Sequence, residues 1–445
     1  MMYSDKLTEL FKKHNVKVMD RIKAVSKGEE FEGELMPKTE VGDPNTIIIK
    51  LDSGYNVGIA YSEDISIAKI TSGSTSISFP KAKTEKVKGL PTVSLIYTGG
   101  TIGSKVDYKT GGVYMLTKPE ELLYEVPELS GIASIDVKQL FGIASEDMSY
   151  IEWQSMAKEV AKSLNEGARG AVVTMGTDTM HYASAALSFM LNNLNAPVAV
   201  TGAQRSSDRG SSDAFFNLIC SAQIAAKSDI AEVGICMHAD SSDDSCAFIR
   251  GTHVRKMHTS RRDAFRPIND RPLARVGRNL EIAYGSDYKK IEKTEGKVTA
   301  ETKFEKKVAL VKSYPNSDPS VIDFYADKGY KGIIMEGTGL GHLPVSTIHD
   351  EFQWMPSVKR AVEKGIVMGM TSQCLYGRVN SNVYRNLRLI GEAGVVYCED
   401  MTPETALVKL GWLLGNHKTE EAKGLLNQNI KGEIKSRTLY DEFLI

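Results

Sequence analysis

The stretch Val93-Ser94-Leu95-Ile96-Tyr97-Thr98-Gly99-Gly100-Thr101-Ile102-Gly103 sets the reading of this chain. Four of its first five residues are apolar, without strict alternation, which suits a strand buried on both faces in a parallel sheet covered by helices. The Gly-rich segment that follows falls where open α/β sheets bind ligands, beyond the carboxyl end of a strand. Two adjacent glycines let the backbone turn sharply, expose amide N–H groups and hold the Thr101 hydroxyl toward the crevice. A plain Gly-rich turn between strand and helix fits the same spacing. A phosphate loop does not, because no Gly-Lys-Ser/Thr follows.

Outward from this stretch, apolar runs recur at 171–175, 198–201 and 233–237, with helical spacing of apolar residues at 180–191 and 214–226. The alternation predicts an α/β class, a two-domain core built on parallel sheets. The larger α/β domain, carrying the active site, spans 91–290. The charged, poorly periodic segment 279–306 marks its end. A smaller α/β domain follows over 305–416, with strands near 308–312, 332–335 and 366–370 and helices near 319–328, 357–364 and 403–415. Before the core, short alternating runs at 46–51 and 57–60 flank Asp52-Ser53-Gly54, which is hairpin chemistry. With a short helix near 4–14 they predict a small β-barrel module over 1–70, joined by a polar, Lys-rich linker over 71–90. A helical tail is expected over 417–445.

At 445 residues the chain has room for two or three domains of roughly 150 residues each. Hydrophobic residues at 42% and charged residues at 25% are ordinary soluble usage and argue against disorder, collagen-like repeats or a coiled-coil rod. Lys+Arg 55 against Asp+Glu 56 leaves a net charge of -1, so any nucleic-acid or membrane partner must use a local patch. The five cysteines are scattered with no CxxC pair, which suits a reducing compartment. The N-terminus lacks the order of a signal peptide and no membrane span is visible. A cytoplasmic location is expected.

A second strand end, Gly176-Thr177-Asp178-Thr179, precedes a helix. Asp178 or Thr179 could simply cap that helix. Two strand ends that each present a threonine, one beside a carboxylate, form a more specific arrangement for nucleophilic catalysis. A threonine hydroxyl is almost un-ionised at neutral pH and needs a neighbour to take its proton. A lysine serves if burial or positive neighbours favour its neutral form. Lys256, in Val254-Arg255-Lys256-Met257-His258-Thr259, is the candidate, although spacing alone does not single it out. The histidine pairs His253/His258 and His342/His349 lack zinc-type spacing, and no metal site is expected.

TGGTIG at 98–103, GTDT at 176–179 and VRKMHTSRRDAF at 254–265 together resemble the L-asparaginase/glutaminase family in order and rough spacing. Tyr114 stands where that family has its active-site tyrosine. Ser145-Glu146-Asp147-Met148 is similar to its substrate-cradling segment. The resemblance covers about 91–416. It implies amide hydrolysis through an acyl-threonine intermediate, with Thr101 as nucleophile and Tyr114 near its hydroxyl. Thr177, Asp178 and Lys256 would form a proton-shuttling set. Ser145, Glu146 and Asp178 would hold the substrate's α-amino and α-carboxylate groups. Backbone N–H groups near Gly100 and Gly176 would serve as oxyanion donors. Which threonine attacks first is left open. One departure is that 380–390 holds no acidic residue, so the glutamate that some family members lend to a neighbouring protomer's substrate is not carried over.

The extra 90 residues before TGGTIG, and the long tail, resemble the D-subunit family of archaeal tRNA-dependent amidotransferases. That resemblance implies a glutaminase (or asparaginase) component releasing ammonia from an amide donor. A partner, the E-subunit of the amidotransferase, using ATP and magnesium, would pass the ammonia to glutamyl-tRNA(Gln). It further implies no cofactor in this chain, tRNA contact mainly through the partner, and a homodimeric core within a heterotetramer. A free-standing asparaginase and a non-catalytic ligand-binding scaffold are the alternatives. Nine basic residues between Arg250 and Arg278 read either as a phosphate-facing patch or as a surface with internal ion pairs.

Overall fold

The computed structural model describes residues 3–36, 38, 43–51, 56–72, 89–106, 113–115, 126–206, 212–285, 287–292, 296–438 and 440. Nearly all of the expected linker falls outside them. The N-terminal unit is an antiparallel sheet of Arg21–Ser26, Glu29–Leu35, Thr46–Lys50, Asn56–Ala60 and Ser66–Thr71, in which the first strand pairs with both the second and the fifth. Alternation places Ile22, Ala24, Ile47 and Ile49 on one face. Helix Asp5–Lys13, started by the Ser4 side chain, lays Leu7 and Phe11 onto that face. Where a barrel is expected, the described strands form an open sheet, its two outer members unpaired with each other. The helix covers its apolar face.

The larger domain is built on eight strands in the order Ile282–Tyr284, Ala274–Gly277, Ser245–Arg250, Val233–His238, Val198–Thr201, Gly170–Thr174, Thr92–Tyr97 and Ser134–Gln139. The last five run parallel. The first three are antiparallel additions, so the sheet is mixed rather than purely parallel. The cause is connection length. Only 239–244 separates His238 from Ser245, too short for a crossover, so the chain must return as a hairpin. Strand Gly170–Thr174 is buried throughout because both faces are covered. Ala171 and Val173 join the core under helices Tyr150–Asn165 and Met180–Met190, and Val172 joins the core under helix Ala214–Lys227. The capping box at Ser149 and Glu152 is the signal in the sequence for the unanticipated helix Tyr150–Asn165.

The smaller domain has four parallel strands, Val308–Lys312, Gly332–Gly337, Val367–Ser372 and Val396–Tyr397. Helix Pro403–Asn416 ties the two domains together. Its Ala406, Leu410 and Leu413 belong to the same apolar cluster as Phe189 and Met190 of the larger domain, and Trp412 stacks on Phe189 with ring centroids 5.8 Å apart.

Among the described residues the expected helical tail is helical only over Thr419–Leu425. Beyond it, backbone groups bond to side chains instead of to a helix. The Glu433 carboxylate accepts the N–H groups of Ile430 (3.0 Å) and Lys431 (2.6 Å) and pairs with buried Lys409 at 2.6 Å. Lys431 Nζ donates to the Leu191 carbonyl (2.8 Å), and Lys435 pairs with Asp270 and Asp287, both at 2.7 Å. The segment is a strap fastened to both domains. A cavity of about 410 Å³, lined by Ser188, Arg250, Lys289 and Lys431 among others, lies beneath it. Among the described residues no helix is long and apolar enough to cross a membrane.

Candidate active site

The site forms where three loops leave the carboxyl ends of neighbouring parallel strands. Register pairs Tyr97 with both Thr174 and Gln139, so the loops after these three strands start side by side. Thr98 fastens the first two through its N–H and its hydroxyl, which donate to the Thr174 carbonyl at 3.1 and 2.8 Å. Ile143 N–H donates to the Thr98 carbonyl at 3.1 Å and brings up the third loop.

Glycines allow a close approach between the loops. Gly100 has φ +85°, and a Cβ there would lie 2.3 Å from the Gly176 nitrogen. A Cβ on Gly176 would lie 2.8 Å from the Ser145 Cβ. Backbone therefore lies against backbone at 100 and 176, and Thr101 and Thr177 follow directly on the two touching residues. Thr101 opens a short 3₁₀ turn, Thr101–Gly103. Strand Val113–Met115 pairs with Ser104–Val106 and sets Tyr114 opposite Lys105 in the register. The Tyr114 side chain lies outside what is described.

Lys256 arrives from the other side of the sequence, on a hairpin of Val254–Lys256 and Phe265–Pro267. Its Nζ lies 2.9 Å from Thr177 Oγ1 and 2.7 Å from Asp178 Oδ1. The lysine side chain is 9% exposed and that of Asp178 65%, so the amine is enclosed while the carboxylate is open to solvent. Ser145 knits the loops together: its Oγ accepts from Asp178 N–H (3.2 Å) and donates to Glu146 (3.4 Å). Thr179 Oγ1, expected at most to cap the helix, donates instead to the Ser145 carbonyl at 2.7 Å. The fold thus gathers Thr177, Asp178, Lys256, Ser145, Glu146, Gly176, Gly100 and Thr101 around one set of strand ends. Among the described residues no group of three or more His, Cys, Asp or Glu side chains could hold a metal ion.

Two further groups border the site without a signal in the sequence. Glu404 pairs with Arg255, the neighbour of Lys256, at 3.0 Å. His181, the second residue of the helix that follows the Thr177 loop, is buried, and its Nδ1 has no hydrogen-bond partner among the described residues. Burial, with the positive charges of Arg255 and Lys256 added, brings its pKa down from 6.5 to about 4. Because the folded value lies below the unfolded one, the unfolded chain takes up the proton first as pH falls. The neutral ring favours the fold fully above about pH 6.5 and loses this contribution toward about pH 4. His181→Asn is expected to flatten the acid limb of the denaturation midpoint against pH across that window, by up to roughly 3 kcal/mol. A mutant curve parallel to wild type there refutes the assignment.

The basic stretch resolves largely into ion pairs. Arg250 binds Glu232 and Asp270 in the interior, Arg261 and Arg266 share Asp263, Arg262 binds Asp243, Arg255 binds Glu404 and Lys256 binds Asp178. The bonds from Arg261 hold the Asp263 carboxyl below its ordinary value. At least six of the nine basic residues are thus partnered within the fold, which matches the reading of a surface with internal ion pairs.

Comparison with known proteins follows the same division of the chain. Residues 92–288 match the family model described as asparaginase, N-terminal, and residues 307–424 the glutaminase/asparaginase C-terminal domain. The thermostable L-asparaginase from Thermococcus kodakarensis superposes with a TM-score of 0.68 at 28% identity, covering 78% of this chain and 99% of that one. L-asparaginase I from Vibrio cholerae does so with a TM-score of 0.68 at 30% identity, covering 78% and 100%. Fold and strand-end loops define an asparaginase-type α/β protein.

Residues 16–70 match the GatD N-terminal domain. The glutamyl-tRNA(Gln) amidotransferase D-subunit of Pyrococcus furiosus is 50% identical, the match covering 99% of this chain and all of that protein. The D-subunits of Thermococcus kodakarensis (48%; 99% of each chain) and Methanopyrus kandleri (44%; 97% and 95%) are similar over their length. The chain belongs to the D-subunit family of glutamyl-tRNA(Gln) amidotransferases, the asparaginase-like component of an enzyme with further subunits.

Proposed function

We propose that this chain hydrolyses the side-chain amide of glutamine, or of asparagine, and supplies the ammonia that its partner subunits use to convert glutamyl-tRNA(Gln) to glutaminyl-tRNA(Gln). The observation that carries the reading is the contact of Lys256 Nζ with both Thr177 Oγ1 and Asp178 Oδ1. In the charged state the ammonium donates to both oxygens. Once neutral, the amine accepts the proton of a threonine hydroxyl, and that proton is delivered to the departing ammonia. Thr101, on the loop touching that of Thr177, is the nucleophile by family likeness. Its oxygen bonds to the amide carbon, the C–N bond breaks, and an acyl-threonine remains. Water, activated by the same amine, then releases the acid and restores the hydroxyl.

Asp178 serves twice. One carboxylate oxygen holds Lys256, while the exposed remainder of the group faces the cleft, where an α-amino group binds. Ser145 and Glu146, linked to each other and to the Asp178 backbone, take the rest of the head group. In this reading the partner is the E-subunit, which activates the glutamyl group with ATP and magnesium, two such partners flanking a homodimer of this chain.

The test is ammonia release from glutamine and from asparagine by the full chain, with and without the ATP-dependent partner and charged tRNA. Release that rises when partner, ATP and glutamyl-tRNA(Gln) are added together is expected. Full turnover indifferent to all three identifies a free-standing asparaginase. No ammonia release from wild type, with Thr101→Ala protein equally inactive and ligand binding unchanged, identifies a non-catalytic scaffold.

A further inference from the structure

Lys256 sits on a two-stranded hairpin that is not part of the eight-stranded sheet. Something other than that sheet's hydrogen-bond ladder must fix the amine to the few tenths of an ångström that proton transfer requires. Successive side chains of a strand point to opposite faces, so Arg255 leaves the hairpin away from Lys256. While Lys256 reaches Thr177 and Asp178, Arg255 reaches back to Glu404 at 3.0 Å. Glu404 lies in the first turn of helix Pro403–Asn416, in the smaller domain, and is 5% exposed. The next residue adds a second tie, since Thr405 Oγ1 donates to the Thr252 carbonyl at 3.0 Å. The helix end is itself rigid, because Thr402 Oγ1 accepts the Thr405 N–H and bonds the Thr405 hydroxyl.

The other titratable groups near Arg255 compete little with Glu404. Glu336, at the carboxyl end of its strand, feels the charges of both Glu404 and Arg255, and is paired with Lys312 at 4.0 Å. Tyr182, raised to about 12 by burial and by Glu404, stays neutral, as does His181. Glu404 is therefore the anionic group in direct contact with the guanidinium, held on a helix whose own face is locked into the shared core of the two domains.

We propose that Glu404, acting through Arg255, is a positioning residue for Lys256, so that the smaller domain sets the geometry of proton transfer in the larger one. The proposal rests on Lys256 being the proton-transferring amine. Arg255 and Glu404 bond to each other, whereas Lys256 bonds to Thr177 and Asp178, so losing the tie is expected to lower kcat and leave KM nearly as it was.

The experiment measures kcat and KM for ammonia release from glutamine by the full chain with its partner, in Glu404→Gln, Arg255→Lys, the reciprocal Arg255→Glu/Glu404→Arg double variant and Lys256→Ala. Glu404→Gln is expected to lose about 10- to 100-fold in kcat with KM within about threefold of wild type. The double variant restores the ion pair and is expected to recover part of that loss; a fall in kcat at nearly constant KM is what a general structural defect would not give. Arg255→Lys keeps the charge but loses the guanidinium geometry, and a smaller fall in kcat is expected; it decides the matter alone if Glu404→Gln does not fold. Wild-type kcat in both single variants, or a rise in KM at constant kcat, overturns the positioning role. If Lys256→Ala is inert while they are normal, only this proposal fails. If Lys256→Ala turns over normally, the reading of Lys256 fails and takes the proposal with it.

Discussion

Lys256→Ala is expected to reduce ammonia release by about 10³-fold or more while leaving the melting curve close to wild type. The loss is large because, in the proposed reading, the amine held against Thr177 and Asp178 carries the proton that the leaving nitrogen receives, and general acid–base groups typically contribute 10²- to 10⁴-fold. The fold is spared for a different reason. Removing Lys256 leaves Asp178 without its partner, but that carboxylate is 65% exposed, so water replaces the lysine and the cost stays within about 1 kcal/mol. Steady-state turnover and thermal denaturation on the same preparation check both halves. Activity within tenfold of wild type removes Lys256 from the chemistry, and a collapse of the melting temperature shows that its role is structural.

Gly100→Ala is expected to damage both activity and stability. The new methyl would meet the Gly176 nitrogen at 2.3 Å, the Met175 carbonyl carbon at 2.5 Å and the Gly176 Cα at 2.7 Å, all of them backbone, so no side chain can swing aside. The loops that carry Thr101 and Thr177 must part by about 1 Å, a displacement that costs on the order of 10²-fold in a site that works by positioning. The residue also has φ +85°, which adds roughly 1 to 2 kcal/mol of strain for any L side chain. Gly167→Ala is the control. It has φ +102° with nothing within 4 Å, so it carries the strain without the collision. Gly167→Ala should lose about 1 kcal/mol of stability and keep wild-type turnover. Equal activities for the two variants would show that the loop contact is irrelevant to catalysis.

The parts of the site legible in the sequence were those written in contiguous residues. A buried apolar run ending in Gly-Gly-Thr, and another ending in Gly-Thr-Asp-Thr, announce strand ends with hydroxyls because a parallel strand has no polar face to show. The expected strands and helices accordingly fall within a residue or two of their places, as at Val198–Thr201, Val308–Lys312 and Ala214–Lys227. Strand Ser134–Gln139, with Asp136 and Lys138 on the sheet's edge, and helix Arg385–Glu392 have no clear signal in the sequence, since an edge strand and a short surface helix carry too few apolar residues to stand out.

Residue types and local order therefore specified an α/β core, the strand-end loops that carry threonines and a carboxylate, and the motifs that resemble a family, because hydrophobic period and turn chemistry are properties of neighbouring residues. Four things depended on how distant segments meet. These are the 2.9 Å approach of Lys256 to Thr177 across 79 positions, the backbone contact between Gly100 and Gly176, the Arg255–Glu404 tie between domains and the tail's conversion from expected helix to strap. Each is a contact whose partners are chosen by packing, where burial, charge pairing and the exclusion of water act between atoms that the linear order leaves far apart.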